Sequence, residues 1–302
     1  MRHLFVIVPT FKETDKIREL LSSFYRVQPQ NTSLLIVNAN FGDETTRLIE
    51  QASEVAWLRE IAGQSSLYWS GLVNLGLEIA ACDGDETDFI ILMNADVTFD
   101  SDVLTGLKNA ADGIGKCQLG ALTHSGGRVI SSGVQVRSWL LALTRHPFAG
   151  MPLTAVPVDY LQPVDYLPTR CVLLPLAPIR TGLRANEKLL PHYAADYELT
   201  HRLKQLGYFP YIYTGVWVEC DVRNTGNNVF VKSGGFRDRV RKLFFIKSAY
   251  NPVTRIRFVW IVFPWYAKAS AILIYSLKSL LELILGGRVI RAVVSHNERG
   301  FS

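Results

Sequence analysis

Two hydrophobic periods alternate along the first third of this chain. Residues 4–8 form a compact apolar run, Leu-Phe-Val-Ile-Val, the pattern of a strand covered on both faces. Residues 13–25 place Ile17, Leu20, Leu21 and Phe24 at helical spacing, which makes one apolar stripe. Residues 33–37 then predict a strand, 43–52 a helix, 55–59 a strand, 70–81 a helix and 89–93 a strand. Strands and helices in this order predict an α/β fold: a mostly parallel sheet with helices on its faces.

The pattern changes between residues 119 and 174. Ser125-Gly126-Gly127-Arg128 and Ser131-Ser132-Gly133 read as turns. Pro147, Pro152, Pro157, Pro163 and Pro168 argue against long helices there. Helical spacing returns over residues 194–206, with Gly207 suited to the cap. Residues 208–214 read as a short aromatic strand. No internal repeat or low-complexity tract interrupts this order.

The strand at 89–93 stops abruptly at Asn94-Ala95-Asp96. It therefore delivers a carboxylate to the carboxyl end of the sheet, where open α/β sheets bind their ligands. A hard divalent cation takes oxygen ligands and commonly shares them with substrate phosphates. Asp96 is thus the first candidate metal ligand, against the plain alternative of an aspartate that only caps a turn.

Of the 302 residues, 48% are hydrophobic and 20% charged, which excludes a disordered chain. Cys82, Cys117, Cys171 and Cys220 have neither metal-ligand nor redox spacing, as expected of a reduced cytosolic protein. The opening residues read as a first strand and turn, not a signal peptide. Charge is unevenly placed. Residues 231–302 hold 13 Lys/Arg and 3 Asp/Glu, so residues 1–230 are net acidic. Within this basic tail, residues 258–285 are strongly apolar, but Lys268, Lys278 and Glu282 interrupt them and Pro264 breaks the helix. That falls short of a spanning segment of about 20 apolar residues. It fits an interfacial helix pair that contacts a membrane peripherally, with Arg237, Arg239, Arg241, Lys242 and Lys247 upstream for anionic lipid. The alternative is a soluble helical subdomain packed on the body.

Five segments together resemble one family, the family 2 inverting nucleotide-sugar glycosyltransferases with the GT-A fold, of the bacterial surface-polysaccharide type. They are Ile7-Val8-Pro9-Thr10-Phe11-Lys12-Glu13; Ile36-Val37-Asn38-Ala39-Asn40-Phe41-Gly42-Asp43-Glu44-Thr45; Leu67-Tyr68-Trp69-Ser70-Gly71-Leu72-Val73-Asn74; Leu92-Met93-Asn94-Ala95-Asp96-Val97; and Ala194-Ala195-Asp196-Tyr197-Glu198-Leu199-Thr200-His201-Arg202-Leu203. Agreement of several modest signals in the right order outweighs any one of them.

The resemblance implies a GT-A domain over residues 1–230, followed by the helical membrane-association region 231–302. It implies a nucleotide diphospho-sugar donor and a glycan or polyprenol-linked glycan acceptor, with Mg²⁺ or Mn²⁺ as cofactor. Pro9, Thr10, Glu13, Asn38, Asp43, Gly71, Asn74, Asn94 and Asp96 would line the donor site, and Asp96 and Asp221 would bind the metal. Asp196 would be the catalytic base, with Glu198 in reserve. Asn38, Asn94 and Ala195 stand where many members carry acidic residues. The expected role is surface polysaccharide or O-antigen assembly at the cytoplasmic face of the cell membrane.

Other classes fit less well. A dinucleotide dehydrogenase needs Gly-x-Gly-x-x-Gly after the first strand, and the turn after residue 8 has no glycine. No P-loop is present. The tail is apolar rather than studded with isolated stacking aromatics, which argues against nucleic acid. A catalytically degenerate sugar-nucleotide-binding or scaffold protein is the alternative that the three acidic-position departures support.

Overall fold

The computed structural model describes residues 2–52, 57–220 and 236–285. Its first half is the expected alternation. Strand β1 (Leu4–Thr10), helix α1 (Thr14–Val27), β2 (Thr32–Asn38), α2 (Glu44–Gln51), β3 (Leu58–Ala62), α3 (Tyr68–Asp83) and β4 (Phe89–Met93) follow one another. β1 pairs in parallel with β2 and β4, and β2 with β3. Along β1, Leu4, Val6 and Val8 enter the core on one face of the sheet, with α1, and Phe5 and Ile7 enter the other, with α3. An apolar run without polar alternation is thus what two-sided burial requires, each such side chain contributing about 1.5–3 kcal/mol. β3 begins three residues later than residues 55–59 predict. It is an edge strand with one buried position, Ile61, so its hydrophobic pattern does not fix its limits.

The second half adds β5 (Val97–Thr98), α4 (Val103–Ile114), β6 (Cys117–Ser125), β7 (Arg128–Ser131), β8 (Gln135–Ser138), β9 (Leu143–Arg145), β10 (Leu161–Pro163), β11 (Cys171–Pro175), α5 (Ala177–Arg180), α6 (Ala195–Gln205) and β12 (Phe209–Cys220). The ladder runs β10-β12-β6-β11-β4-β1-β2-β3. The sheet is parallel through β4 and then becomes mixed, because β11 enters antiparallel between β4 and β6. Helix α4 is an element beyond those predicted above; Asp102 caps it, and Val103, Leu104, Leu107 and Ala111 face the core. β6 and β7 form a hairpin over Gly126 and Gly127, both at positive φ, as a tight turn requires. β12 continues past the expected residues 208–214 through a register shift between Tyr213 and Trp217.

The tail forms α7 (Phe236–Leu243), α8 (Pro252–Val262) and α9 (Lys268–Leu285). α8 ends before Pro264, as its sequence requires. Phe258, Val259, Val262, Phe263, Ala267 and Ala271 share a core cluster with Tyr166, Leu190, Ala194 and Ala195. The inner faces of the tail therefore pack on the body beside α6. Trp260, Trp265, Leu273, Leu277 and Ile284 remain exposed on the outside. Among the described residues, no helix is long and apolar enough to cross a membrane.

Candidate active site

Three strands bring candidate residues to one end of the sheet. β1 delivers Thr10, whose side chain is buried and whose hydroxyl has no partner among the described residues. β4 runs into Asn94-Ala95-Asp96, and Oδ1 of Asp96 is likewise buried and unbonded. A buried acceptor without a donor costs roughly 1–3 kcal/mol. Two such groups at the ends of adjacent strands point to a ligand that completes them. Pro9 is tolerated in β1 because the β4 pairing has ended at Ile7 opposite Leu92. Glu13 stands at the N-cap position of α1 and pairs with Lys16 at 2.9 Å.

Asn38, at the end of β2, is buried. Its amide donates to Glu60 at 2.9 Å and to Asp43 at 3.1 Å, and its carbonyl oxygen accepts from the Asn40 N–H at 2.9 Å. Asp43 caps α2 through the N–H groups of Thr45 and Thr46. Burial alone would raise its pKa, but the hydrogen bonds from Asn40, Asn38 and that backbone hold it below the ordinary carboxylate value. These two residues build the turn beside the site through bonds within the protein.

Gly71 and Asn74, on α3, hold the chain leading to α6. A Cβ on Gly71 would lie 2.8 Å from Leu67 Cβ and 3.3 Å from Glu187 Oε2. Asn74 takes both backbone groups of Ala185, donating to its carbonyl at 3.0 Å and accepting its N–H at 2.8 Å. Ser70 adds bonds to Leu190 and Pro191. This motif is a strut under the loop that carries the candidate base.

That base, Asp196, lies in the first turn of α6 behind Ala194, which adopts the left-handed conformation at φ 64°. Its carboxylate accepts N–H groups from Tyr197 at 2.9 Å and Thr169 at 3.4 Å. Burial pushes its pKa up to about 6, against those hydrogen bonds and the nearby Arg170 charge. A carboxylate so raised binds a proton more readily while remaining ionised at neutral pH. Glu198 requires a correction. It is 1% exposed, and both its oxygens are taken by Arg202, at 2.5 and 2.9 Å. It anchors α6, and in this structure neither oxygen is left open toward an acceptor hydroxyl.

The residues that sequence reasoning missed are Thr169 and Arg170. They join the two halves of the site: Thr169 donates to Asp196, and the Arg170 carbonyl accepts the Asn94 N–H at 3.1 Å. The Arg170 guanidinium donates to Cys220 Sγ at 3.1 Å. Burial pushes the Cys220 thiol up to about 12; Arg170 opposes that rise and Asp96 adds to it. The only sequence signal is an arginine opening an apolar strand, which no motif marks.

Among the described residues, no group of three His, Cys, Asp or Glu side chains could cage a metal. Asp221, the second expected ligand, lies outside them. The unbonded Asp96 oxygen nevertheless fits a hard cation held by one carboxylate and completed by substrate phosphates.

Comparison with known proteins agrees with this fold. Residues 5–137 match the model of Glycosyl transferase family 2. S. aureus TarS 1-349 superposes with a TM-score of 0.53 at 15% identity, covering 90% of this chain and 89% of that one. TarS 1-349 in complex with UDP-GlcNAc gives 0.52 at 14% identity over 90% and 89%. GalNAc-T7 with UDP, GalNAc and Mn²⁺ gives 0.60 at 10% identity, covering 98% of this chain and 58% of that one. At such identities the likeness is one of fold, and the fold is GT-A. No curated protein matches the sequence.

Proposed function

We propose that this chain is a glycosyltransferase of the family 2 type and moves a sugar from a nucleotide diphospho-sugar to a hydroxyl of a glycan with inversion at the anomeric carbon. The observation that carries this reading is the pairing of an unbonded Asp96 oxygen with a raised-pKa Asp196, tied together through Thr169 and Arg170. Asp196 takes the proton of the acceptor hydroxyl as that oxygen forms its bond to the anomeric carbon. The bond from that carbon to the diphosphate breaks, and the nucleotide diphosphate leaves with the electron pair. Arg170 supplies fixed positive charge near the reacting groups. Asp96 would hold Mg²⁺ or Mn²⁺, and the bound ion would neutralise the diphosphate leaving group. Solved structures of this fold in complex with UDP, with UDP-GlcNAc, and with UDP, GalNAc and Mn²⁺ support the donor and metal assignments.

The acceptor we propose is a polyprenol-linked glycan of surface polysaccharide or O-antigen assembly, met at the cytoplasmic face of the membrane. Support comes from the outer face of the tail, where Trp265 is 84% and Leu273 60% exposed. Lys268 lies over the Trp260 ring at 4.8 Å, a pairing suited to the headgroup layer. Asp196→Asn tests the reaction: transfer is lost while nucleotide binding persists. Retained turnover would remove Asp196 from the role of base.

A further inference from the structure

The hairpin β8–β9 stands apart from the main sheet as a two-stranded ribbon. Its turn, residues 139–142, divides its side chains between two environments. Trp139 packs edge-on against Phe263 of the tail, with ring centroids 4.9 Å apart, and Ala142 is buried in the same cluster. Ala142 sits at φ 46°, in the left-handed region, and its N–H returns to the Trp139 carbonyl at 3.2 Å. Leu140, Leu141 and Leu143 are left outside, 50%, 57% and 47% exposed. The bonds that hold the turn run through backbone and the Ser138 hydroxyl, so the turn itself has no use for three leucines.

The Trp139–Phe263 contact sets this turn beside the corner between α8 and α9, where Trp265 and Tyr266 are also exposed. Two segments far apart in sequence thus present one apolar face, the mark of a contact with a partner or a membrane. Charge selects between the two. Residues 113–158, which include the hairpin, hold four Lys/Arg and no Asp or Glu, and residues 239–281, which include the corner, hold eight and none. Arg145 donates to the Gln135 side-chain oxygen at 2.8 Å, a neutral partner that leaves its charge in place. Asp165, which accepts the Val136 N–H at 2.7 Å, is itself paired with Lys204. Leucine and tryptophan among cations suit an anionic bilayer interface. A second copy of this chain would set like charge against like.

We propose that the β8–β9 hairpin is a second membrane-insertion element, which enters an anionic lipid surface beside the α8–α9 corner. The proposal rests on the peripheral membrane reading above and extends it from the tail to the body. The cluster that joins hairpin and corner also holds Ala194 and Ala195, which directly precede Asp196. Insertion of this face therefore sets the position of the candidate base relative to the bilayer, as a lipid-linked acceptor requires.

The full chain is tested on vesicles of phosphatidylglycerol with phosphatidylcholine, and on phosphatidylcholine alone. Leu140→Ser with Leu141→Ser and Leu143→Ser should lower partition into the anionic vesicles by about tenfold or more. A single label reports insertion without that triple change. Leu141→Cys in a Cys82→Ser chain takes a nitrobenzoxadiazole fluorophore at residue 141, because the other three cysteines are buried. Its emission should move to shorter wavelength on anionic vesicles and be quenched by brominated acyl chains. The same label on Cys82 of the wild-type chain, at the end of α3, should do neither. Undiminished partition of a folded triple variant, or a label at residue 141 that stays in water while the chain binds vesicles, overturns the hairpin proposal and leaves the tail reading standing. A wild-type chain that binds no vesicles overturns both. Equal binding to neutral lipid overturns the anionic surface. A shift of the label on dimerisation without lipid would make the face a contact between copies and also overturns the proposal.

Discussion

The N–H of Asn94 donates to the carbonyl of Arg170 at 3.1 Å. Through that bond the turn carrying Asp96 is fixed to the segment whose other end, Thr169, holds the Asp196 carboxylate. Donor side and base side are therefore one hydrogen-bonded unit, and Arg170 is its positively charged member.

Replacing that charge has two readouts. Arg170→Met should lower transfer by about 10²-fold or more, the scale of losing a preorganised donor. It should also move the acid limb of the rate profile to higher pH, because Arg170 holds the Asp196 pKa down. Arg170→Lys keeps the charge and should restore the pH profile, if not the full rate. An unchanged acid limb in Arg170→Met would separate the two residues.

Asp196 itself predicts an activity–stability exchange. Its folded value of about 6 lies above its ordinary 3.8. Stability from the bound proton is therefore complete below about pH 4 and lost as pH rises through about 6. Transfer should fall below about pH 6, and Asp196→Asn, inactive, should be more stable than wild type at pH 7.5, by on the order of 2 kcal/mol. The stability gain should vanish near pH 4. Thermal melts across that range check the sign.

Glu198 behaves differently. Glu198→Ala leaves the Arg202 guanidinium without its bidentate partner, and losing a hydrogen bond to a charged group costs about 1.5–3 kcal/mol. The variant should melt well below wild type. A variant of wild-type stability and no activity would return Glu198 to catalysis.

The parallel half of the fold was legible because β1, β2 and β4 are buried on both faces and leave unbroken apolar runs. β11 was not, since nothing in Cys171–Pro175 tells a strand which direction to enter. Asp96 and Asp196 are assigned from motif context, and the structure joins their segments through Arg170 and Thr169. The internal contacts of Asn38, Gly71 and Asn74 were not legible, because the same residue types suit a ligand or a neighbouring backbone and the bonds of Asn74 to Ala185 depend on tertiary structure.

The outer face of the tail predicts peripheral binding to anionic vesicles. Deleting the tail is a poor test, because Phe258, Val259 and Phe263 belong to the core beside α6. Trp265→Ser with Leu273→Ser and Leu277→Ser changes exposed positions only. The triple variant should remain folded and lose vesicle sedimentation several-fold. Undiminished sedimentation would place the membrane contact elsewhere or remove it.

The most direct measurement is calorimetric titration of UDP, dTDP, GDP and CDP, each with and without Mn²⁺, into wild type and Asp96→Ala. A working donor site predicts Mn²⁺-dependent binding of one nucleotide, lost in the variant. Binding of none of the four, by a protein that is folded, would contradict such a site and favour a degenerate scaffold.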